Sequence, residues 1–313
     1  MTTNLVLIGV LAPWLRPLWA VGLGAIVAVA MLLAVSWLLR LLAPKVAAIA
    51  RTTAKEGLSQ PLFYLLLLLG ILALLLFPFI PYNTFGEDVK VLKDEGMTMI
   101  MLLAIILALW TASVSIAEEI EGRTALTLLS KPIGRRQFIF GKFLGILGPV
   151  TILFIVLGAV FLATVSYKVS YDARESALPD PTWHDCAQEM EKTTPGLVLA
   201  LMETVVLTSI SVAISTRLPM LPNLIISASI YILGHLAPML LNSAMRQFEI
   251  VAFVARLFST VLPVLDDFNI QAAIATGQKV PLAYLGWAGV YCLLYSSVAM
   301  LVALLLFEDR DLA

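Results

Sequence analysis

The chain has 313 residues, of which 60% are hydrophobic and only 13% charged, and its mean hydropathy is +0.97. A soluble domain carries roughly 25% charged residues, so a water-soluble protein is excluded and an integral membrane protein follows. The formal net charge of −1 argues against a nucleic-acid surface and against a polybasic peripheral anchor.

In chain order, MTTNLVLIGVLAPWLRPLW lacks the basic start of a secretory signal and runs on too far for a cleaved segment, so it is retained. Residues 5–15 are expected at the membrane interface, closed by Pro13, Arg16 and Pro17. Residues 18–42 form the first span, because about 20 apolar residues at roughly 1.5 Å each cross a hydrocarbon core of roughly 30 Å. APKVAAIARTTAKEGLSQ interleaves Lys45, Arg51 and Lys55 with Val46, Ile49 and Ala50, as in a helix lying on a membrane surface. A second span is expected at 61–81, a polar loop at 82–95, a third span at 96–114 and a fourth at 138–166. Residues 168–195 are hydrophilic, contain Pro179, Pro181 and Pro195, and read as a mostly irregular loop. The fifth and sixth spans fall at 196–216 and 222–242, joined by TRLPMLP. Residues 247–265 carry Arg256 and are placed at or partly inside the interface. The last span is 282–307. The fold class is an all-α integral membrane protein with about seven transmembrane helices.

Topology follows from where basic residues collect. Arg40, Lys45, Arg51 and Lys55, then Arg123, Lys131, Arg135, Arg136 and Lys142, mark the loops around 40–55 and 123–142 as cytoplasmic. The alternate loops, 83–95 and 168–194, hold fewer bases and many acids and face outward. Seven spans with the C-terminus inside then put the N-terminus outside. Cys186 in a polar loop and Cys292 deep in an apolar run imply no disulfide. The soluble connections are too short for a nucleotide-binding domain, and no Gly-rich loop ending in Lys-Ser or Lys-Thr occurs, so any nucleotide is bound by another chain.

The segment 113–142, SVSIAEEIEGRTALTLLSKPIGRRQFIFGK, is the one strongly charged stretch between two long apolar runs. Ser115 and Glu118 have capping-box spacing, so a new helix is expected to start here. Glu119 and Arg123 are spaced i to i+4 in the favourable order. Ile116, Ile120, Leu128 and Leu129 supply a partly apolar face, and Ser130, Lys131 and Pro132 end the helix. Two readings stay open. One is an interfacial helix with positive-inside anchors; the other is a docking lever that inserts into a cytosolic partner. Three acids within four positions exceed what anchoring needs, since anchoring favours bases.

SIAEEIEGRTALTLLSKPIGRRQFIFGKFLG resembles the cytoplasmic loop of type-2 ABC transporter permeases, in which an acidic coupling helix precedes a Leu-Leu-x-x-Pro-hydrophobic-x-Arg stretch. IARTTAKEGLSQPLFYLLLL resembles the family's amphipathic helix leading into the first core span, and FSTVLPVLDDFNI with LLLFEDRDL resembles its C-terminal end. The resemblance covers residues 47–313 and implies a permease core over 46–313; the departures are an extra N-terminal transmembrane segment, 18–42 within 1–45, and the outer loop at 168–195. It implies an exporter permease that binds no cofactor itself, in the inner (cytoplasmic) membrane, paired with a second permease copy or paralogue. An ABC ATPase subunit carries the ATP. The implied contact residues for that subunit are Glu118, Glu119, Glu121, Gly122, Arg123, Thr124, Lys131, Pro132, Arg135 and Arg136.

EEIEGR also fits the Glu-Glu-x-x-x-Arg pattern of CAAX-processing-type intramembrane proteases, in which Glu118 or Glu119 would activate a water beside buried histidines. The chain offers only His184, in the outer loop, and His235, inside the sixth span and far from Glu118. His184, Cys186, Asp180, Asp185 and Glu189 have mixed spacing for a metal site, and a solvated loop accounts for them. Glu203 is the most costly intramembrane group; with His235 and Asn242 it is a candidate for lining a translocation path, packing being the plainer reading of His235. Gly141, Gly145 and Gly148 give the fourth span a small-residue face suited to close helix packing.

Overall fold

A computed structural model of the chain describes residues 12–80, 82, 87–118, 134–176, 179, 181–242, 253, 262–270, 273–274 and 277–308, with backbone alone for 117–118 and 237–242. Among these residues every regular element is helical: α1 Leu18–Leu42, α2 Pro44–Ser59, α3 Pro61–Leu76, α4 Asp88–Ala112, α5 Arg135–Glu175, α6 Trp183–Ser215, α7 Met220–Asn242 and α8 Leu282–Glu308. Six of them are long and apolar enough to cross a membrane, and Met220–Leu236 of α7 adds a shorter apolar stretch. The backbone makes its hydrogen bonds within each helix, which is the condition for lying in hydrocarbon. Side chains such as Trp19, Met31, Trp37, Leu221, Trp287 and Leu293 stay exposed, as an apolar surround requires.

The core is built by α4, α5 and α6, with α8 packed on α6. Leu107, Leu153, Leu157, Phe161, Leu199 and Val206 are completely or almost completely enclosed. Glycines set the closest approaches. A Cβ on Gly96 would lie 2.2 Å from the Phe161 ring, so α4 and α5 can meet there only without one.

The expected small-residue face of α5 receives α2. A Cβ at Gly141 would meet Ile49, at Gly145 Thr53 and the Ala50 carbonyl, and at Gly148 Ala54. The helices therefore run in the same direction here. The amphipathic helix seats Ala47, Ala50, Thr53 and Gly57 on protein while Lys45, Arg51 and Lys55 point outward.

Three expectations are corrected. Residues 168–195 are not mostly an irregular loop: α5 continues to Glu175 and α6 begins at Trp183, so helix takes up all but the seven residues 176–182 between them, which include Pro179 and Pro181. At about 1.5 Å per residue both helices outrun a bilayer and project beyond it. Polar pairing replaces apolar periodicity: Lys168 bridges Asp172 at 2.9 Å, Lys192 bridges Glu189 at 2.8 Å, and the Asp185 carboxylate accepts from the Thr182 N–H and hydroxyl. Residues 88–95 likewise are the first turns of α4, with Lys93 buried against Glu189 of α6. Ser115, thirdly, lies inside a continuous helix rather than at the start of a new one.

Trp14 packs edge-on against Tyr167 at 5.3 Å, and its carbonyl accepts from Ser166. The start of α1 therefore shares an end with Asp88, Lys168 and Trp183, here the acidic end. Exposed Arg135 and Arg136 lie at the opposite, basic end.

Candidate functional site

Most of the charged segment, including Glu119, Glu121, Gly122, Arg123, Thr124, Lys131 and Pro132, lies outside the described residues. Its two flanks do not. On the entry side, α4 passes into a π-helical turn over Ser113–Glu118 without a break. Ser115 is therefore not the N-cap of a new helix; its side chain is 1% exposed and its hydroxyl has no hydrogen-bond partner. The apolar burial of Ile116 beside it draws the chain onward as helix. Single π turns are frequent at functional sites.

That turn is pinned by a residue the sequence reading did not single out. Asn223 is 0% exposed on α7, and its Nδ2 lies 2.7 Å from the Ser113 hydroxyl and 2.9 Å from those of Ser211 and Ser215 of α6; its two hydrogens go to Ser113 and Ser215 when Ser211 instead donates to Oδ1 at 3.3 Å. Its Oδ1 accepts from Ser227 at 3.1 Å. Ser113 in turn donates to the Leu109 carbonyl at 2.8 Å. One carboxamide thus ties the exit of α4 to α6 and α7. An Asn after Pro222 in an apolar run, opposite a Ser-rich stretch at 209–216, was the available signal. On the return side Arg135 donates to the Glu308 carbonyl at 2.8 Å, and Phe138 stacks on Phe307 at 5.8 Å, joining the start of α5 to the end of α8.

Two path candidates are brought together toward the acidic end. Glu203 of α6 is 2% exposed, and its Oε1 lies 3.5 Å from Nε2 of His235 on α7. Both face a cavity of about 150 Å³ whose other polar lining is Asp94, Thr98, Tyr231 and Asn269. The segment 262–270 folds back over this cavity. Leu265, Phe268 and Ile270 are buried, the Val264 N–H donates to the Tyr291 hydroxyl at 2.9 Å, and Tyr284 donates to the Asp267 carbonyl at 2.6 Å. The third candidate, Asn242, ends α7, and its side chain is outside the described residues.

Among the described residues the hydrolase arrangement is not assembled. His235 shares its cavity with Asp94, whereas Glu118 sits more than six helical turns away along the same α4–π helix, roughly 36 Å. Of the residues weighed as a metal set, Asp180 lies outside the described residues and the others have other partners: Cys186 is buried beside Ser170 at 3.8 Å, Asp185 caps α6, Glu189 pairs with Lys93 and Lys192, and His184 stacks on Trp183. Cys186 and Cys292 are both free thiols.

A family model described as "ABC-2 family transporter protein" matches residues 79–312, well over half of the chain. The search of curated proteins returned no match.

Proposed function

The chain belongs to the ABC-2 transporter family and is a multi-pass permease subunit; from that premise we propose that it exports its cargo using ATP hydrolysed by a separate ATPase subunit. The segment containing Glu118, Glu119, Glu121, Gly122, Arg123 and Thr124, with Lys131, Pro132, Arg135 and Arg136 behind it, is the surface that receives the ATPase. A second permease, identical or paralogous, completes the transporter in the cytoplasmic membrane.

The observation that carries this reading is the helix that leads into the charged segment. A continuous α4–π helix enters it, and Asn223 links Ser113, where the π turn begins, to α6 and α7. A push on the segment is then passed to the helices bearing Glu203 and His235 rather than absorbed by a loose hinge. Such relayed movement of packed helices is the usual form of a gating transition. Glu203, His235 and Asn242 line the outer half of the path.

The test is affinity purification of the tagged chain from its native membrane. An ATPase subunit is expected to accompany the wild type and to be lost, or uncoupled from transport, in Glu119→Arg and Arg123→Glu, with membrane insertion unchanged. Retention of full ATP-driven transport by both variants would refute the assignment.

A further inference from the structure

We propose that the cavity between α4, α6, α7 and the 262–270 segment binds a protonated amine carrying an apolar group about the size of one aromatic ring, with Glu203 as its counter-charge. That such an amine is the exported cargo rests on the export reading above; the binding itself does not.

The first ground is an unmet valence. Glu203 is almost fully enclosed in an apolar helix, and its Oε1 has no hydrogen-bond donor. Nε2 of His235 lies at 3.5 Å, beyond a normal N–H···O contact. A carboxylate at such a position must be neutralised by a proton or by a cation.

The second ground is the histidine tautomer. Nδ1 of His235 faces the Tyr231 carbonyl at 3.1 Å. A carbonyl only accepts, so Nδ1 carries the hydrogen and Nε2 of the neutral ring is an acceptor. Two acceptors then face each other, and the Glu203–His235 pair needs one proton to be neutral, on either partner.

The third ground is the charge of the wall. Among the described residues the lining includes Asp94 and Glu203 and no Lys or Arg, and Asp266 lies within electrostatic reach of Glu203. Lys93, the nearest base on α4, is held by Glu189. On α8, the Tyr291 hydroxyl is taken by Val264 and the Cys292 thiol by the Met202 carbonyl. The rings of Tyr231 and Phe268 add faces that attract a cation. A volume of about 150 Å³ is that of an apolar cavity able to hold benzene. Here the same space carries acids at its wall.

The exchange balances in protons. The free pair holds one proton and no net charge; an entering R–NH₃⁺ places its N–H on the Glu203 carboxylate, His235 remains neutral, and one H⁺ leaves. Amine affinity therefore rises with pH, by at most tenfold per unit, until the free pair has lost its proton. Asp266 deepens the negative potential at Glu203 without entering the count.

The experiment uses the purified full chain in phosphatidylcholine nanodiscs and calorimetric titration with benzylammonium and with benzyl alcohol, in two buffers of different protonation enthalpy. Benzylammonium is expected to bind at least tenfold more tightly than benzyl alcohol and to release about one proton per molecule bound. Glu203→Gln, checked for an unchanged gel-filtration profile and Tm, is expected to lose at least tenfold in affinity and to release no proton. Asn269→Lys, which brings a resident ammonium to the cavity, is expected to block binding. Equal binding of the two ligands by the wild type, binding of neither, or an unchanged isotherm in Glu203→Gln overturns the proposal. Because the wild-type comparison needs no variant and no ATPase, its failure leaves the export reading standing, and loss of the ATPase subunit leaves this site standing.

Discussion

Replacing Asn223 by Ala removes the donor and acceptor that join three helices at the basic end. The structure gives its carboxamide four hydroxyl neighbours, Ser113, Ser211, Ser215 and Ser227, at 2.7 to 3.1 Å. Side-chain hydrogen bonds inside membrane proteins contribute about 0.6 kcal/mol each on average and at most about 1.7. Four of them sum to about 2.4 kcal/mol. Some is recovered, because a freed serine can turn to its own helix, as Ser113 already does to Leu109 and Thr208 to Thr204. The expected loss is therefore about 1–2 kcal/mol, measured by unfolding in mixed SDS and dodecylmaltoside micelles followed by far-ultraviolet circular dichroism. Ser227→Ala alone should cost about 0.6 kcal/mol, and the double variant should cost less than the sum, since both break the same bond. A loss in Asn223→Ala below about 0.5 kcal/mol, or strict additivity with Ser227→Ala, would show that the carboxamide is not the tie described here. With the ATPase present, the same variant is expected to keep the subunit bound while ATP-driven transport falls.

The glycine contacts predict a sharp contrast. Gly145→Ala drives a Cβ to 2.6 Å from Thr53 and 2.8 Å from the Ala50 carbonyl and should cost about 1–3 kcal/mol by overpacking, whereas Gly22→Ala meets nothing within 4 Å and should be neutral in the same unfolding assay. Lys168 is 1% exposed, donates to the Pro78 carbonyl at 3.1 Å and bridges Asp172 and, at 3.5 Å, Asp88. Lys168→Met should therefore lower stability by about 2 kcal/mol, less than for a fully buried pair because both carboxylates keep some solvent; an unchanged unfolding midpoint would refute the bridge. Thr182→Ala should fray the start of α6 at a cost of about 1 kcal/mol, read as faster amide exchange over residues 183–187 with the membrane-embedded part unaffected.

The number and order of crossing helices were readable from the chain because hydropathy is a local sum. Wherever about 20 apolar residues follow one another, the cost of an unpaired backbone in hydrocarbon leaves helix as the solution. The same local reasoning marked Glu203 and His235 as costly groups that need a reason to be there. It failed at residues 168–195 because helix formation there rests largely on the polar pairs Lys168–Asp172 and Lys192–Glu189, and Cys186 and Met190 alone make too short an apolar period to stand out.

What tertiary structure alone decided is rotation and depth. Whether Glu203 meets His235, whether Asn223 finds Ser113 or faces lipid, and whether the glycines of α5 receive α2 or another span depend on how each helix is turned about its axis. That angle is fixed by packing between segments far apart in the chain. A sum of residue hydropathies carries no term for it.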